Sequence, residues 1–403
     1  MYYIGIDIAK RSHVAAVQDA EGAVVIPAFK FSNTQTGFEE FLQRLKDKDV
    51  NPDECKVGME ATGHYWICLF DFLSANGYSC AVINPIQTDA FRKVESVRVT
   101  KTDAIDAVLI ADLLRFKNFA ESKMKDEPNE ELKNLARYRS FLVSESTAVK
   151  NKATAVLDRI FPEFANLFAD KYCGAAIALL KEYATPASIA KTDIRTLTKI
   201  IKEGSRGRLG REKAEQIKAA AKVSIGASLA AEGLAFQLRL VLENLDFVRG
   251  QIGTIDTRLK ELLEVTQGKY LLTIPGIDVA LASLIAGEIG DANRFEKPKK
   301  LIAYAGMDAT KKQSGESDND GHMSKRGSAQ LRYALMLAAK TCAQADPYFG
   351  DYCSNKMAEG NHYYIALSGV ARKLAGVILS LMKEQRPYEP MPPKHHQGGH
   401  LNS

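Results

Sequence analysis

The first 26 residues alternate between apolar and other positions in a pattern that predicts a strand meander. Ile4, Ile6 and Ile8 take every second position of the first run, as in a strand with one face in a core. Further apolar runs predict the remaining strands, at residues 13–17, 23–26, 55–59 and 79–83. Together these runs predict an α/β domain with a mixed sheet.

Two long segments have helical periodicity instead. Residues 126–161 carry apolar side chains seven residues apart, from Leu135 to Val156. A second segment follows the unbroken 4-3 spacing of a coiled-coil seam, at Leu234, Leu238, Val241, Leu245, Val248, Ile252, Ile255, Leu259 and Leu262. This seam can pair with the earlier helix of the same chain or with another subunit, and we expect another subunit. Gly250 and Gly253 suggest close approach or local bending there.

These patterns predict four regions: an α/β domain over residues 1–125, a helical coiled-coil region over 126–265, a small helical domain over 266–385 and a disordered tail over 386–403. In the third region, Pro275 and Gly276 lead into an Ala-rich helix. Such a turn is typical of a helix-hairpin-helix, whose amides bind a DNA phosphate. A compact helical hairpin without a ligand is the alternative.

Composition excludes several classes of protein. With 403 residues, 46% of them hydrophobic and 26% charged, the chain can form two or three cores. No apolar run approaches the roughly 20 residues of a membrane span, and no signal peptide precedes the meander, so we expect a cytoplasmic protein. The six cysteines are scattered and predict reduced thiols. A net charge of +5 indicates nucleic-acid binding only where cations cluster, as they do from Lys297 onward.

Four carboxylates stand out against these patterns. Asp7 interrupts the first apolar strand, Glu60 follows another strand, and Asp103 and Asp106 follow a capping Thr102 on one helix face. Taken one at a time, they have ordinary explanations: Asp7 can be hydrogen-bonded at a strand end, and Asp103 and Asp106 can be the acidic first turn that a helix dipole favours. As a set, oxygen ligands from several elements are what divalent-metal phosphoryl transfer requires.

Near the C-terminus, Ser314 precedes Gly315 in a polar segment that predicts a loop. Most loop serines only form turns. A serine beside several cations, however, can attack a phosphodiester while the cations stabilise the added charge. The flanking cations are Lys311, Lys312, Lys325 and Arg326.

The motifs together resemble those of the DEDD-type transposases of bacterial insertion sequences. The resemblance rests on Asp7, on the Glu-Ala-Thr-Gly-His-Tyr-Trp run that begins at Glu60, and on Lys-Thr-Asp-x-x-Asp-Ala from Lys101. It implies a ribonuclease-H-like domain similar to that of the RuvC resolvase, a coiled-coil insertion and a helical transposase domain. Piv-type DNA invertases are relatives of the family.

The resemblance also implies an activity and a site. We expect a DNA recombinase that binds Mg²⁺ or Mn²⁺ at Asp7, Glu60, Asp103 and Asp106, with Ser314 as nucleophile. Gln313 stands where many members have a second serine, so Ser317 and Ser324 are further candidates. The implied nucleic-acid-binding residues are Lys101, Gly276, Lys311, Lys312, Lys325, Arg326 and Arg332.

The implied partners are donor DNA, target DNA, a guide RNA from the element's own end and further copies of the chain, as a dimer or tetramer in the bacterial cytoplasm. Two other functions compete with this one. A metal-dependent Holliday-junction-type endonuclease would need the acids but not Ser314. A non-catalytic coiled-coil scaffold for nucleic acid would need neither.

Overall fold

The structure, a computed structural model, describes residues 1–95, 102–117, 119, 121–122, 127–308, 312–314, 317–319 and 323–390. The chain divides into two compact units, residues 1–124 and 125–403. The strands are β1 Tyr2–Asp7, β2 Ser12–Gln18, β3 Val24–Ser32, β4 Cys55–Glu60, β5 Ser79–Ile83, β6 Lys312–Ser314 and β7 Ser317–Asn319.

Helices make up most of the rest of the described chain. The helices of the first unit are α1 Gln35–Lys46, α2 Ile67–Ala75, α3 Pro85–Glu95 and α4 Asp103–Phe116. Those of the second unit are α5 Glu127–Ile160, α6 Gly174–Glu182, α7 Pro186–Lys191, α8 Ile194–Gly204, α9 Arg211–Lys222, α10 Ala231–Glu264, α11 Val279–Ile289, α12 Pro298–Tyr304, α13 Ala329–Ala345, α14 Pro347–Ala358 and α15 Tyr363–Glu384. Short 3-10 helices occur at Pro52–Glu54, Pro162–Asn166, Gln267–Thr273 and Ala292–Arg294.

The first unit is built on a mixed five-stranded sheet with the strand order β3-β2-β1-β4-β5. The meander β1-β2-β3 is antiparallel, whereas β4 and β5 join β1 in parallel through helical crossovers. The predicted mixed α/β sheet is therefore confirmed. Asp7 is the last residue of β1 rather than its middle, because the ladder with β2 and β4 ends there although Ile8 is still buried.

The two faces of this sheet are covered by different helices. Ile4 and Ile6 pack into the larger core with Phe41 of α1 and Leu73 of α2. On the opposite face α4 lies across β1 and β4, with Leu114 among its buried side chains. Alternation along β1 therefore separates the isoleucines from the face on which α4 rests.

The second unit is organised by two 34-residue helices, α5 and α10. They run antiparallel, since Arg258 near the end of α10 pairs with Glu131 near the start of α5 at 2.8 Å. The same helices contribute to two separate cores. One core contains Val149, Leu238 and helices α6 to α9, and the other contains Leu259 and helices α11 to α15.

The predicted seam on α10 is buried within the chain itself. Leu238, Leu245 and Leu259 are fully buried, and Leu242, which lies beside the seam, is buried too. A stripe wider than a strict 4-3 seam is typical of a core-facing helix. The expectation that this seam pairs subunits is therefore wrong, because helices of the same chain already cover it.

Several smaller expectations also change. A side chain at Gly250 or Gly253 would meet nothing within 4 Å, so neither marks close approach. The predicted tail begins later than residue 386, since Tyr388 is buried and its hydroxyl donates to Asp346 at 2.9 Å. Residues 391–403 lie outside the described residues.

One described helix, α15, is long and apolar enough to span a membrane by length and composition. Its most apolar window is 61% buried inside the protein. Burial of this kind is typical of a core helix, because the apolar side chains already pack against α13 and α14. The sequence prediction did not count this run because Arg372 and Lys373 interrupt it.

All six cysteines are free. Burial raises the pKa of Cys55, Cys80 and Cys342 to about 12 in each case. Thiols of this kind are protonated and inert at neutral pH. The predicted reduced thiols agree with this, and only Cys68 is exposed.

Leu245→Ala should lower the free energy of unfolding by about 2–5 kcal/mol, because it opens a cavity between α10 and the core of the second unit. Leu240→Ala on the same helix is the matched control, since Leu240 is 49% exposed and should change stability by about 0.5 kcal/mol or less. Urea unfolding measures both. A variant with wild-type stability but an altered subunit number in light scattering would contradict the intrachain role of this face.

Candidate active site

Two of the predicted acids end neighbouring parallel strands. The register between β1 and β4 places Ile6 beside Met59, and the next residues in that register are Asp7 and Glu60. Adjacent strands lie about 4.8 Å apart. Both residues are half-buried, so their carboxylates share one edge of the sheet.

The same two acids lie on the face that α4 covers. Gly5 and Gly58 come two residues before Asp7 and Glu60, and therefore share their face. A methyl group at Gly5 would collide with the carbonyl oxygen of Ala107, and one at Gly58 would lie 2.6 Å from Leu114. Glycine at position 5 lets the α4 backbone rest directly on the sheet, and glycine at position 58 makes room for the Leu114 side chain.

The other two acids occupy the first turns of α4. Thr102 caps this helix as predicted, accepting the N–H of Ile105 at 3.2 Å. Asp103 is the first helical residue and is exposed. Asp106 is 6% exposed and immediately precedes Ala107, whose carbonyl lies over Gly5. We call Asp7, Glu60, Asp103 and Asp106 the carboxylate edge.

Hydrogen bonds from α3 hold two members of the carboxylate edge. Arg92 donates to Asp106 Oδ1 at 2.8 Å, and the buried Thr88 hydroxyl donates to Glu60 Oε2 at 2.6 Å. Thr62 donates to the other oxygen of Glu60 at 3.2 Å. The sequence analysis did not single out Thr88 or Arg92, although their four-residue spacing on one helix was a usable signal.

The donor chemistry of the carboxylate edge suits a hard divalent cation, since Mg²⁺ and Mn²⁺ prefer carboxylate oxygens. The positions of the four carboxylates support a metal site less fully than their chemistry does. In the part of the chain that the structure describes, no three His, Cys, Asp or Glu side chains form a cluster that could hold a metal ion. Arg92 occupies a position on Asp106 that a cation would otherwise take. Convergence of all four acids on one metal therefore stays a prediction.

The segment that carries Ser314 forms a short hairpin where the sequence predicted a loop. Strands β6 and β7 are antiparallel, and Ser314 lies opposite Ser317. Each strand has three residues, and a polar run this short shows no hydrophobic alternation and gave no strand signal. Only the backbone of this hairpin is described.

Backbone hydrogen bonds tie together the two segments that flank the hairpin. Lys325 donates to the carbonyl of Gly306 at 3.0 Å, and Ser328 donates to that of Tyr304 at 2.8 Å. A side chain at Gly327 would collide with the carbonyl oxygen of Tyr304. We call residues 304–308 and 324–328 the stem of the hairpin.

A buried carboxylate that the sequence analysis missed holds this stem. Glu288 of α11 is 1% exposed, and it accepts hydrogen bonds from Arg137 of α5 at 2.5 Å and from Ser328 at 2.8 Å. The bond with Glu288 raises the pKa of Arg137. Ser328 in turn caps α13 by accepting the N–H of Leu331 at 3.1 Å. An acid inside an apolar helix was the overlooked signal.

The predicted nucleic-acid-binding residues differ in their surroundings. Lys325 and Arg326 are exposed on the stem. The Arg332 guanidinium binds within the protein, where it donates a hydrogen bond to the carbonyl of Ala305 at 2.8 Å. Lys312 lies on β6. Lys101 and Lys311 lie outside the described residues.

Gly276 has a clear packing role. Its φ of +92° is a left-handed conformation that favours glycine. A side chain there would also lie 2.7 Å from the backbone of Thr341 in α13. The turn follows a 3-10 helix and precedes α11, which Asp278 caps. These contacts explain the glycine without a ligand, so its binding of phosphate stays a prediction.

Comparison with known families identifies both ends of the chain. Residues 4–162 match a model of the transposases with a DEDD site of the IS110 type. Residues 268–354 match the model described as the transposase IS116/IS110/IS902 family. The chain belongs to this transposase family.

Curated relatives agree with this assignment along the whole transposase. An uncharacterized 44.8 kDa protein of insertion element IS116 from Streptomyces clavuligerus is 23% identical, covering 97% of each chain. The pilin gene-inverting protein of Moraxella bovis is 22% identical, covering 96% of this chain and 97% of its own. The transposase for insertion sequence element IS1328 of Yersinia enterocolitica is 30% identical over 32% of this chain and 39% of its own.

Glu288→Gln should lower the free energy of unfolding by about 1–3 kcal/mol, because a charged acceptor of two hydrogen bonds is lost at a buried position. Amide exchange at Ser328 and Leu331 should quicken in the same variant. Glu261→Gln is the control, since Glu261 pairs with Arg258 at the surface and should contribute about 0–1 kcal/mol. Equal effects of the two substitutions would contradict the role of Glu288 in holding the stem.

Proposed function

We propose that this transposase cuts and rejoins DNA with Ser314 as nucleophile and with Mg²⁺ or Mn²⁺ held by the carboxylate edge. The observation that carries the proposal is the register of β1 and β4, which ends both strands on an acid that lies on the face covered by α4. Membership of the transposase family supports the remainder.

The two parts have separate tasks. Asp7, Glu60, Asp103 and Asp106 would hold a divalent cation, whose positive charge would polarise the scissile phosphodiester. Ser314 Oγ forms a bond to phosphorus, and the bond between phosphorus and the departing deoxyribose oxygen breaks. That oxygen takes up the proton that the serine hydroxyl releases. The phosphoserine link conserves the bond energy, and the reverse step rejoins a DNA end.

The cations around the hairpin fit the same chemistry. Lys325 and Arg326 lie on the stem, which hydrogen bonds hold in place. Cations at such a position stabilise the negative charge that grows on the phosphate as the serine attacks. We include Lys101, Lys311, Lys312 and Arg332 in the DNA-binding surface, and we propose that the turn at Gly276 forms a helix-hairpin-helix that binds a DNA phosphate.

Guide RNA and assembly complete the proposal. The family resemblance supports a guide RNA that the element encodes and that pairs with donor and target DNA. Delegating sequence recognition to base pairing suits a chain with no recognised base-reading motif. A dimer or tetramer would bring several active centres to two DNA sites. Sequencing of the nucleic acid that co-purifies with the transposase tests the guide, and recovery of only random host RNA would contradict it.

A metal-dependent junction endonuclease is the second candidate. It is favoured by one observation, the side-by-side acids at the sheet edge, which would hold a divalent cation able to activate a water molecule. Such an enzyme forms no covalent intermediate, so Ser314 separates the two functions. A non-catalytic scaffold gives no reason for Thr88 and Arg92 to hold Glu60 and Asp106 in place.

Arg92→Gln should tighten Mn²⁺ binding, because Asp106 then loses the cation that competes for its carboxylate. Electron paramagnetic resonance of free Mn²⁺ measures the affinity without any DNA or activity. Arg44→Gln is the control, since Arg44 is exposed on α1 and stacks over Phe29 on the other side of the sheet. Unchanged or weaker binding by Arg92→Gln would contradict the placement of the metal at Asp106.

Ser314→Ala should abolish the covalent protein–DNA adduct that forms on a nicked suicide substrate, because no other hydroxyl replaces the attacking oxygen. Denaturing electrophoresis and mass spectrometry detect the adduct. Ser317→Ala is the matched control across the hairpin and should retain it. An adduct on Ser317 or Ser324 would move the nucleophile. Full cleavage by Ser314→Ala would support the junction endonuclease instead.

A further inference from the structure

One segment of the second unit carries a large excess of positive charge, in addition to the cations that cluster from Lys297 onward. Residues 191–222, which include α8, α9 and the turn between them, contain ten Lys and Arg but only four Asp and Glu. The full chain has 54 and 49, respectively. Summed over the rest of the chain, acids slightly outnumber bases, so without these 32 residues the net charge would not be positive.

Helix α8 presents much of this charge on a single face. Arg195, Lys199 and Lys202 are spaced by four and three residues and thus form one stripe, and all three are exposed. The opposite face is fully buried at Leu197 and Ile201. Core packing therefore fixes the direction in which the cations project.

The turn after α8 extends the cationic surface. Arg206 and Gly207 have positive φ values of 54° and 81°, and Arg208 follows with an exposed side chain. The turn is closed by Ser205, whose Oγ accepts the N–H of Leu209 at 2.9 Å. We call Arg195, Lys199, Lys202, Arg206 and Arg208 the cationic stripe.

The cationic stripe lacks the compensating acids of an ordinary solvated helix face. Among the residues that the structure describes, none of its five members forms an ion pair within 4.0 Å. The neighbouring α9 shows the usual pattern, in which Arg211 pairs with Glu215 at 2.8 Å. Like charges spaced by three or four residues destabilise a helix, so a polyanionic ligand would relieve this repulsion.

We infer that the cationic stripe is a binding surface for the phosphate backbone of duplex DNA, separate from the serine hairpin. Residues 191–222 contain no Phe, Tyr or Trp, whereas proteins that bind single strands stack bases on aromatic side chains. Exposed Lys and Arg on a helix contact phosphates without reading bases. The surface thus holds DNA in place, whatever its sequence.

The dimensions fit this ligand. Arg195 and Lys202 are seven residues apart, which corresponds to about 10 Å along an α-helix. Duplex DNA carries one negative charge per roughly 1.7 Å of its axis, so several phosphates lie within reach of the stripe. The inference rests on the proposed function only in taking DNA as the ligand of the transposase.

The test is the salt dependence of binding to a random-sequence DNA duplex, measured by fluorescence anisotropy with EDTA present. The variant Arg195→Gln with Lys199→Gln and Lys202→Gln should bind more weakly. The negative slope of its log K against log salt concentration should become shallower, by about 0.9 for each lost phosphate contact. The charge-conserving variant Arg195→Lys with Lys199→Arg and Lys202→Arg should keep the wild-type slope.

The matched control removes three exposed cations that already have carboxylate partners, in Arg211→Gln with Lys356→Gln and Arg386→Gln. It should leave the slope nearly unchanged. An unchanged slope in the stripe variant, or an equal fall in the control, would overturn the inference. So would a fall seen only with an RNA hairpin as probe. Because no cleavage is measured and EDTA is present, the result does not depend on which residue is the nucleophile, so this test can fail independently of the adduct test on Ser314.

Discussion

The close contact between α4 and the sheet is the constraint on which the candidate site depends. At Gly5 the obstacle to a methyl group is α4 backbone, which cannot rotate away, and at Gly58 the space is filled by the side chain of Leu114. Asp106 therefore lies one residue from the point of contact. The same glycines precede the two strand-end acids by two positions, so sheet alternation brings them to the face of the helix.

A comparable link operates inside the second unit. The antiparallel pair α5 and α10 runs through both of its cores, and Arg137 on α5 reaches Glu288 beneath the stem of the hairpin. The buried Glu288 carboxylate in turn fixes Ser328 and the start of α13. The position of the serine segment thus depends on the long helices as well as on its own short strands.

Features of the fold that depend on a single local sequence pattern could be predicted from the sequence. Alternation gave the strands, Thr102 gave the start of α4, and the 4-3 spacing gave the buried face of α10. Spacing alone does not say which helix covers a face, and so the seam was assigned to the wrong partner. Glu288, Thr88 and Arg92 were missed because their roles depend on partners that lie far along the chain or in another element. The hairpin was missed because strands of three polar residues carry no periodicity.

The central claim, that four acids from two strands and one helix form one metal site, is tested most directly by the Mn²⁺ affinity of four single variants. These are Asp7→Asn, Glu60→Gln, Asp103→Asn and Asp106→Asn, each of which removes a charge and keeps the side-chain size. The account predicts that every variant binds Mn²⁺ more weakly than wild type while its circular dichroism is unchanged. Wild-type affinity in all four folded variants would contradict it.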